Sequence, residues 1–252
     1  MTQKAQRCVV AAAIGLVTFL GFGKGEVVAR LIEVANCSGG GATQEGSARY
    51  VLAHDVDCAG EPVPILWLPR GSVLQLGGYT LSNGDVVCSG KCQVRGPGTI
   101  RGGGIIGNDK VTVLRTIITG SPSNGVLATN TKGRARAWIL DSVISGNAMT
   151  GVEADRMTHI FRSTISDNGR YGVAVSLQPF NDCARGRIRT WGSEISGNGL
   201  DATCGVDEIC ADVATCAQGG NDRPVLHRTP CGTSYELGSG MPGRSCSICT
   251  LD

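Results

Sequence analysis

Three things are scarce in this chain of 252 residues. Aromatic residues make up 4% of it, histidine occurs three times, and no apolar run is long enough to span a bilayer. So few rings argue against one large globular core and suit thin, repeated layers better. His54, His159 and His227 are scattered, and none has a Cys or Asp neighbour at catalytic spacing. His159 opens a repeat and is expected at a corner. A 3.6-residue apolar period is also missing, which excludes helical solenoids. No metal or cofactor site is read from the sequence.

The main apolar run, Cys8 to Gly23, has 16 residues, short of the ~18 expected of a spanning helix. Lys4 and Arg7 precede it, and Val27-Val28-Ala29 closes it with a small residue. That order reads as a secretory signal peptide over residues 1–29, with Arg30 first in the mature chain. A retained anchor is the rival reading. Cys8 lies before the apolar core, so it is not placed as a lipoprotein cysteine. Cleavage predicts a chain with no membrane span.

Removing residues 1–29 takes Lys4, Arg7, Lys24 and Glu26 from totals of 23 basic and 21 acidic residues, leaving 20 of each. No net basic field remains, and no nucleic-acid partner is expected. Lys132-Gly133-Arg134-Ala135-Arg136 reads as a solvated loop. Of 12 cysteines, Cys8 would leave with the leader. Those remaining are Cys37, Cys58, Cys88, Cys92, Cys183, Cys204, Cys210, Cys216, Cys231, Cys246 and Cys249. An exported chain with that many is expected to be disulfide-bonded. Their odd number implies a free thiol, a bridge between chains, or another cleavage point.

What the chain has in quantity is glycine, 38 residues of it, and a repeat. Trp138-Ile139-Leu140-Asp141-Ser142-Val143-Ile144-Ser145-Gly146-Asn147 is followed by Gly151-Val152. Ile160-Phe161-Arg162-Ser163-Thr164-Ile165-Ser166-Asp167-Asn168 is followed by Gly172-Val173. A period near 20 residues, built from β-branched residues and Gly/Asn corners, marks a solenoid of stacked strands. Leu81, Ile100, Ile118, Ile144, Ile165 and Ile195 close successive half-coils, spaced 19, 18, 26, 21 and 30 residues apart. Leu76, Val113, Ile139 and Ile160 lie five positions before four of them. The variable spacing places insertions in loops outside a constant coil.

One coil cannot bury its own inward face, so these residues are expected to stack into a continuous aliphatic column. Each strand would pair with its counterpart about 4.8 Å away in the next coil. Asn147, Asn168 and Asn198 occupy one corner, with Asn83 a weaker match. They are expected to accept left-handed angles and to bond along the axis as an amide ladder. A β-propeller would need a longer period, and a leucine-rich repeat would show Leu where this column has Ile and Val.

Cys37, Tyr50-Val51-Leu52, Asp55 and Cys58, followed by Gly71-Ser72-Val73-Leu74-Gln75-Leu76-Gly77-Gly78-Tyr79-Thr80-Leu81, open the mature chain. Residues 50–200 resemble the right-handed parallel β-helix, or pectin-lyase-like, superfamily as found in exported bacterial proteins. Gln75, Gly77 and Tyr79 depart from its Asp-rich, Asn-Gly-His version of the second stretch. The resemblance implies an all-β, single-stranded right-handed parallel β-helix of six or seven rungs. The organisation that follows is a leader (1–29), an N-terminal cap and first rung (30–70), the repeats (71–199) and a cysteine-rich C-terminal cap (200–252). Cys37 and Cys58 bracket the first strand and are expected to pair, stapling the open end. In Cys246-Ser247-Ile248-Cys249, bridging is favoured over redox chemistry or zinc. Asp201, Asp207, Glu208 and Asp212 lack the spacing of a calcium loop.

Fold alone does not fix activity. Lyases of this superfamily use clustered Asp residues for calcium and an Arg base; its hydrolases use paired carboxylates near Gly-His-Gly and Arg-Ile-Lys. This chain has no Asp-Asp pair and no Gly-His-Gly. Trp138-Ile139-Leu140-Asp141 and Arg187-Ile188-Arg189 only approach the family patterns. Glu153 is matched by Leu127 and Ala174 on neighbouring coils, so no carboxylate pair forms there. Arg115, Asp141 and Arg162 share one position on three successive coils, read either as a surface ion ladder or as a sugar-contact strip. The function expected is non-catalytic: a flat face presented to a polysaccharide or another cell-envelope component. A divergent polysaccharide lyase, glycoside hydrolase or epimerase is the alternative, and a structural adhesin element the third reading.

Overall fold

The computed structural model describes residues 30–37, 47–61, 65–175 and 187–199, together with the backbone of the strands Ala211–Thr215, Val225–His227 and Ser234–Glu236. The expected leader and the cysteines from Cys183 onward lie outside these residues.

Every strand pairs in parallel with its counterpart in the next coil, which makes the molecule a parallel β-helix. Three sheets form its walls: sheet A with nine strands, sheet B with seven and sheet C with eight. Among the described residues the chain visits A, B and C in turn, so the seven strands of sheet B define seven complete coils. The first coil is Ala48–Leu52, Val56–Asp57 and Ile65–Leu68; the last is Arg187–Trp191, Glu194–Ser196 and Ala211–Thr215. Arg30–Val34 adds a leading strand to sheet A. Parallel pairing does not stop at residue 199, because Ala211–Thr215, Val225–His227 and Ser234–Glu236 all join sheets A and C.

The period of two in each strand decides which residues go inside. In sheet B one inward position runs Val56, Leu81, Ile100, Ile118, Ile144, Ile165, Ile195, each paired with the next. From Leu81 onward all are fully buried. Sheet C contributes Leu66, Val86, Ile105, Val126, Val152 and Val173 in the same way. Each such side chain contributes up to about 1.5–3 kcal/mol on burial, and only the stack supplies the neighbours that make burial possible.

The file in sheet A differs from the expected one at its start. Leu74, not Leu76, is in register with Val94 and Val113. The corner after this strand runs from Leu76 to Tyr79, the next takes the three residues 96–98, and the coils after that turn in two, such as Arg115 and Thr116. Counting back five positions from Leu81 therefore falls two residues late.

The Asn corners also need correction. Asn147, Asn168 and Asn198 do not adopt left-handed angles; the residue before each does, Gly146 at φ 63°, Asp167 at 56° and Gly197 at 66°. Asn83, at φ 56°, belongs to that preceding column. The asparagines are there for their amides. Asn147 Nδ2 donates to Asn168 Oδ1 and Asn168 Nδ2 to Asn198 Oδ1, both at 2.8 Å and both buried. The nearby Gly125 and Gly151 serve close approach instead: a Cβ on Gly151 would lie 2.6 Å from Asn168 Nδ2 and 2.7 Å from the Gly172 carbonyl oxygen.

Two disulfides lie among the described residues. Cys37–Cys58 ties the leading strand to the first coil, and Cys88–Cys92 bridges the corner between sheets C and A.

Candidate functional site

Arg115, Asp141 and Arg162 do share one position. Each is the single left-handed residue between sheets A and B, at φ 51°, 49° and 46°. Arg162 Nε donates to Asp141 Oδ1 at 2.6 Å, and its Nη2 donates to Oδ2 at 2.8 Å. This fork holds the Asp141 carboxyl below the usual carboxylate range and raises the Arg162 guanidinium. Arg115 adds a weaker pull through space. The Arg162 side chain is 70% exposed, so water screens the pair and its share in stability is small.

Beneath this row runs a ladder that the sequence reading missed. Thr116 N, Ser142 N and Ser163 N donate to Ser142 Oγ, Ser163 Oγ and Ser193 Oγ of the next coil at 3.1–3.2 Å. Each hydroxyl in turn donates to a carbonyl two residues back in its own coil, as Ser142 Oγ does to Leu140 O at 2.6 Å. The signal was present as Arg-Thr, Asp-Ser, Arg-Ser and Gly-Ser at equivalent places, with the hydroxyl always following the left-handed residue.

The outer face of sheet A carries the most distinctive chemistry. Its rows are set by register and, from the third coil onward, run Lys110, Arg136, Met157, Arg187; then Gln93, Thr112, Trp138, His159, Arg189; then Arg95, Leu114, Leu140, Phe161, Trp191, with Arg49 and Glu33 outward at the far end of the second and third rows. Five of the side chains from the third coil onward are cations and none is a carboxylate. Trp138 and His159 stack with centroids 4.8 Å apart and planes 14° from parallel, and Phe161 continues the group 6.2 Å from His159. Lys110 Nζ lies 3.7 Å from the Trp138 ring centroid, a cation–π contact. Trp191, on the next coil after Phe161, is 47% exposed.

Burial, with help from Arg189, Lys110 and Arg136, lowers the His159 pKa, so the ring acts as a neutral aromatic at pH 7. It sits in the middle of the strand Met157–Phe161, not at a corner, because the strand starts two residues before it. Trp138 Nε1 and His159 Nε2 are shielded from solvent and have no hydrogen-bond partner among the described residues. In Arg187-Ile188-Arg189, Ile188 is buried and both arginines are exposed, as strand alternation requires.

Glu153 stands on a different wall, the outside of sheet C between Leu127 and Ala174. Burial raises its pKa, while Asn124, whose Nδ2 donates to Glu153 Oε2 at 3.0 Å, opposes the shift. Asp155 is buried and structural: its carboxylate accepts Thr129 Oγ1 at 2.9 Å and Asn130 N at 2.6 Å. His54 is exposed and, among the described residues, bonds locally to Asp55 O. Among the described residues, no helix is long and apolar enough to cross a membrane. The chain matches no family model, no curated protein and no solved structure.

Proposed function

We propose that this is an exported, non-catalytic binding protein whose sheet A face engages an acidic polysaccharide. The observation that carries the reading is the composition of that face from the third coil onward: five outward cations, no carboxylate, and the rings of Trp138, His159, Phe161 and Trp191 in adjoining rows. The exposed Trp191 offers apolar ring area to the C–H face of a sugar, the stacked rings of Trp138 and His159 offer their edges, and the flanking arginines offer forked donors to carboxylate or sulfate groups. The expected mature chain is neutral overall, so this cationic strip is a local arrangement. Export is supported by the basic-then-apolar start of the chain and by the two disulfides, which persist in oxidising compartments. The resemblance to the pectin-lyase-like superfamily points to the same class of ligand.

The test is affinity electrophoresis of the mature protein through gels containing polygalacturonate, alginate or a neutral glucan, at low and high salt. Retardation by the acidic polymers alone, weakened by salt, is expected. Equal migration in all gels would sink the reading. Release of new reducing or unsaturated chain ends would instead assign the face to catalysis.

A further inference from the structure

At the corner where sheet C passes into sheet A, a depression of about 840 Å³ opens beside the cationic face. Arg70, Lys132 and Arg134 line it, with Asp109 as its one carboxylate. We infer that this depression is a second subsite, holding a single acidic sugar unit, uronate or sulfated, of the polysaccharide bound on sheet A. The inference rests on the polysaccharide reading above.

Its walls are built, not left over. On one side the Cys88–Cys92 bridge closes a turn containing Gly90. A Cβ on Gly90 would lie 2.8 Å from Arg70 Cγ and 3.1 Å from Arg70 Cβ, so the arginine stem rests on bare backbone there. Gly71 N donates to Lys91 O at 2.6 Å and Ser89 N to Leu68 O at 2.9 Å, tying this turn to the coil that carries Arg70. On the other side, buried Asp155 holds Thr129 and Asn130. The Asn130 side-chain oxygen then accepts Lys132 N at 2.9 Å and Arg134 N at 3.1 Å. The loop that presents the two cations is thus pinned through one amide to a buried carboxylate, which lowers the ordering cost of binding.

Size and sign select the occupant. Three cations against one carboxylate favour an anion. The volume lies within the ~300–1,000 Å³ of sites for small organic molecules and admits a sugar unit together with bound water. Asp109 directly precedes Lys110, and Arg134 lies two residues before Arg136, so the depression opens onto the first row of the sheet A face.

The experiment titrates galacturonate, glucose 6-sulfate and neutral galactose into the protein by NMR, and polygalacturonate by calorimetry. The variants are Lys132→Gln/Arg134→Gln, Gly90→Ala, and Trp138→Ala/Trp191→Ala on the face, each checked for an unchanged β-sheet spectrum. The two acidic monosaccharides should bind wild type and the face variant alike, and the Lys132/Arg134 variant at least about tenfold more weakly. Gly90→Ala keeps every charge but displaces Arg70, and should give an intermediate loss. Equal binding of galactose, or undiminished galacturonate binding by the Lys132/Arg134 variant, would overturn the subsite. Polymer binding without monosaccharide binding would remove the subsite and keep the face; failure of both would remove both.

Discussion

Trp138 and His159 stack ring on ring across two coils, their centroids 4.8 Å apart, which is the rise from one parallel strand to the next. The stack therefore repeats the backbone spacing, and Lys110 over the outer side of Trp138 extends it by one more coil. Trp138→Ala removes the first ring of the stack and the seat of that cation. We expect about a tenfold loss in affinity for acidic polysaccharide, with the melting temperature changed much less than by a core substitution. Isothermal calorimetry beside a thermal melt checks both.

Glu153 gives a pH signature. Its carboxyl pKa is raised by burial, so the native state holds the proton more tightly than the unfolded chain. The stabilisation is full below the unfolded value near ~4.3 and is lost as pH rises through the raised native value. Glu153→Gln keeps an oxygen for Asn124 without the charge. The variant should match wild type near pH 4 and melt a few degrees higher at pH 8; parallel curves across that range would refute the assignment.

Asp141 is a carboxylate bordering the cationic face, and its position demands a left-handed residue. Asp141→Asn tolerates that angle and frees Arg162, so affinity for polygalacturonate should rise roughly two- to fivefold at low salt. Asp141→Val, β-branched at φ 49°, should cost about 1–2 kcal/mol of stability from backbone strain alone. Chemical denaturation distinguishes the two variants.

Asn168 is the middle of the amide ladder. Its Nδ2 donates to Asn198 Oδ1 and Ile144 O, and its Oδ1 accepts from the side chain and backbone of Asn147. Asn168→Ala strands these buried groups at a cost of about 2–4 kcal/mol. The loss should appear as a lower urea midpoint, with faster amide exchange at Asn147.

Cys37–Cys58 spans a separation of 21 residues. Replacing both cysteines with serine should cost roughly 3 kcal/mol and loosen the first coils before the later ones. Hydrogen exchange resolved by segment would show that gradient; uniform loosening would contradict it.

The column in sheet B was legible because its half-coil, strand plus short corner, keeps nearly constant length. Sheet A was less legible at Leu76, where a longer corner shifts the count. Asn147, Asn168 and Asn198 were found as a ladder, but their backbone role was misassigned: a left-handed turn and an amide ladder lie one residue apart in Ser-Gly-Asn, and spacing does not separate them. The face of Trp138, His159 and Arg189 was hidden for another reason. Its residues are about 20–30 positions apart in sequence, so their shared sign emerges only once register aligns them. The depression around Lys132 and Arg134 read as a solvated loop because the residue that pins it, Asp155, comes from the next coil.

Ile139, Ile160 and Ile188 point inward from the same strands whose alternate residues, Trp138, His159 and Arg189, point outward. Interior and exterior are thus two halves of one parity. A slip of one residue would drive a guanidinium in Arg136–Leu140 or Arg187–Trp191, or the His159 ring in Met157–Phe161, into the aliphatic file and turn isoleucine toward solvent. The outer surface cannot drift in register while the scaffold survives: whatever preserves the packing preserves the charge pattern with it.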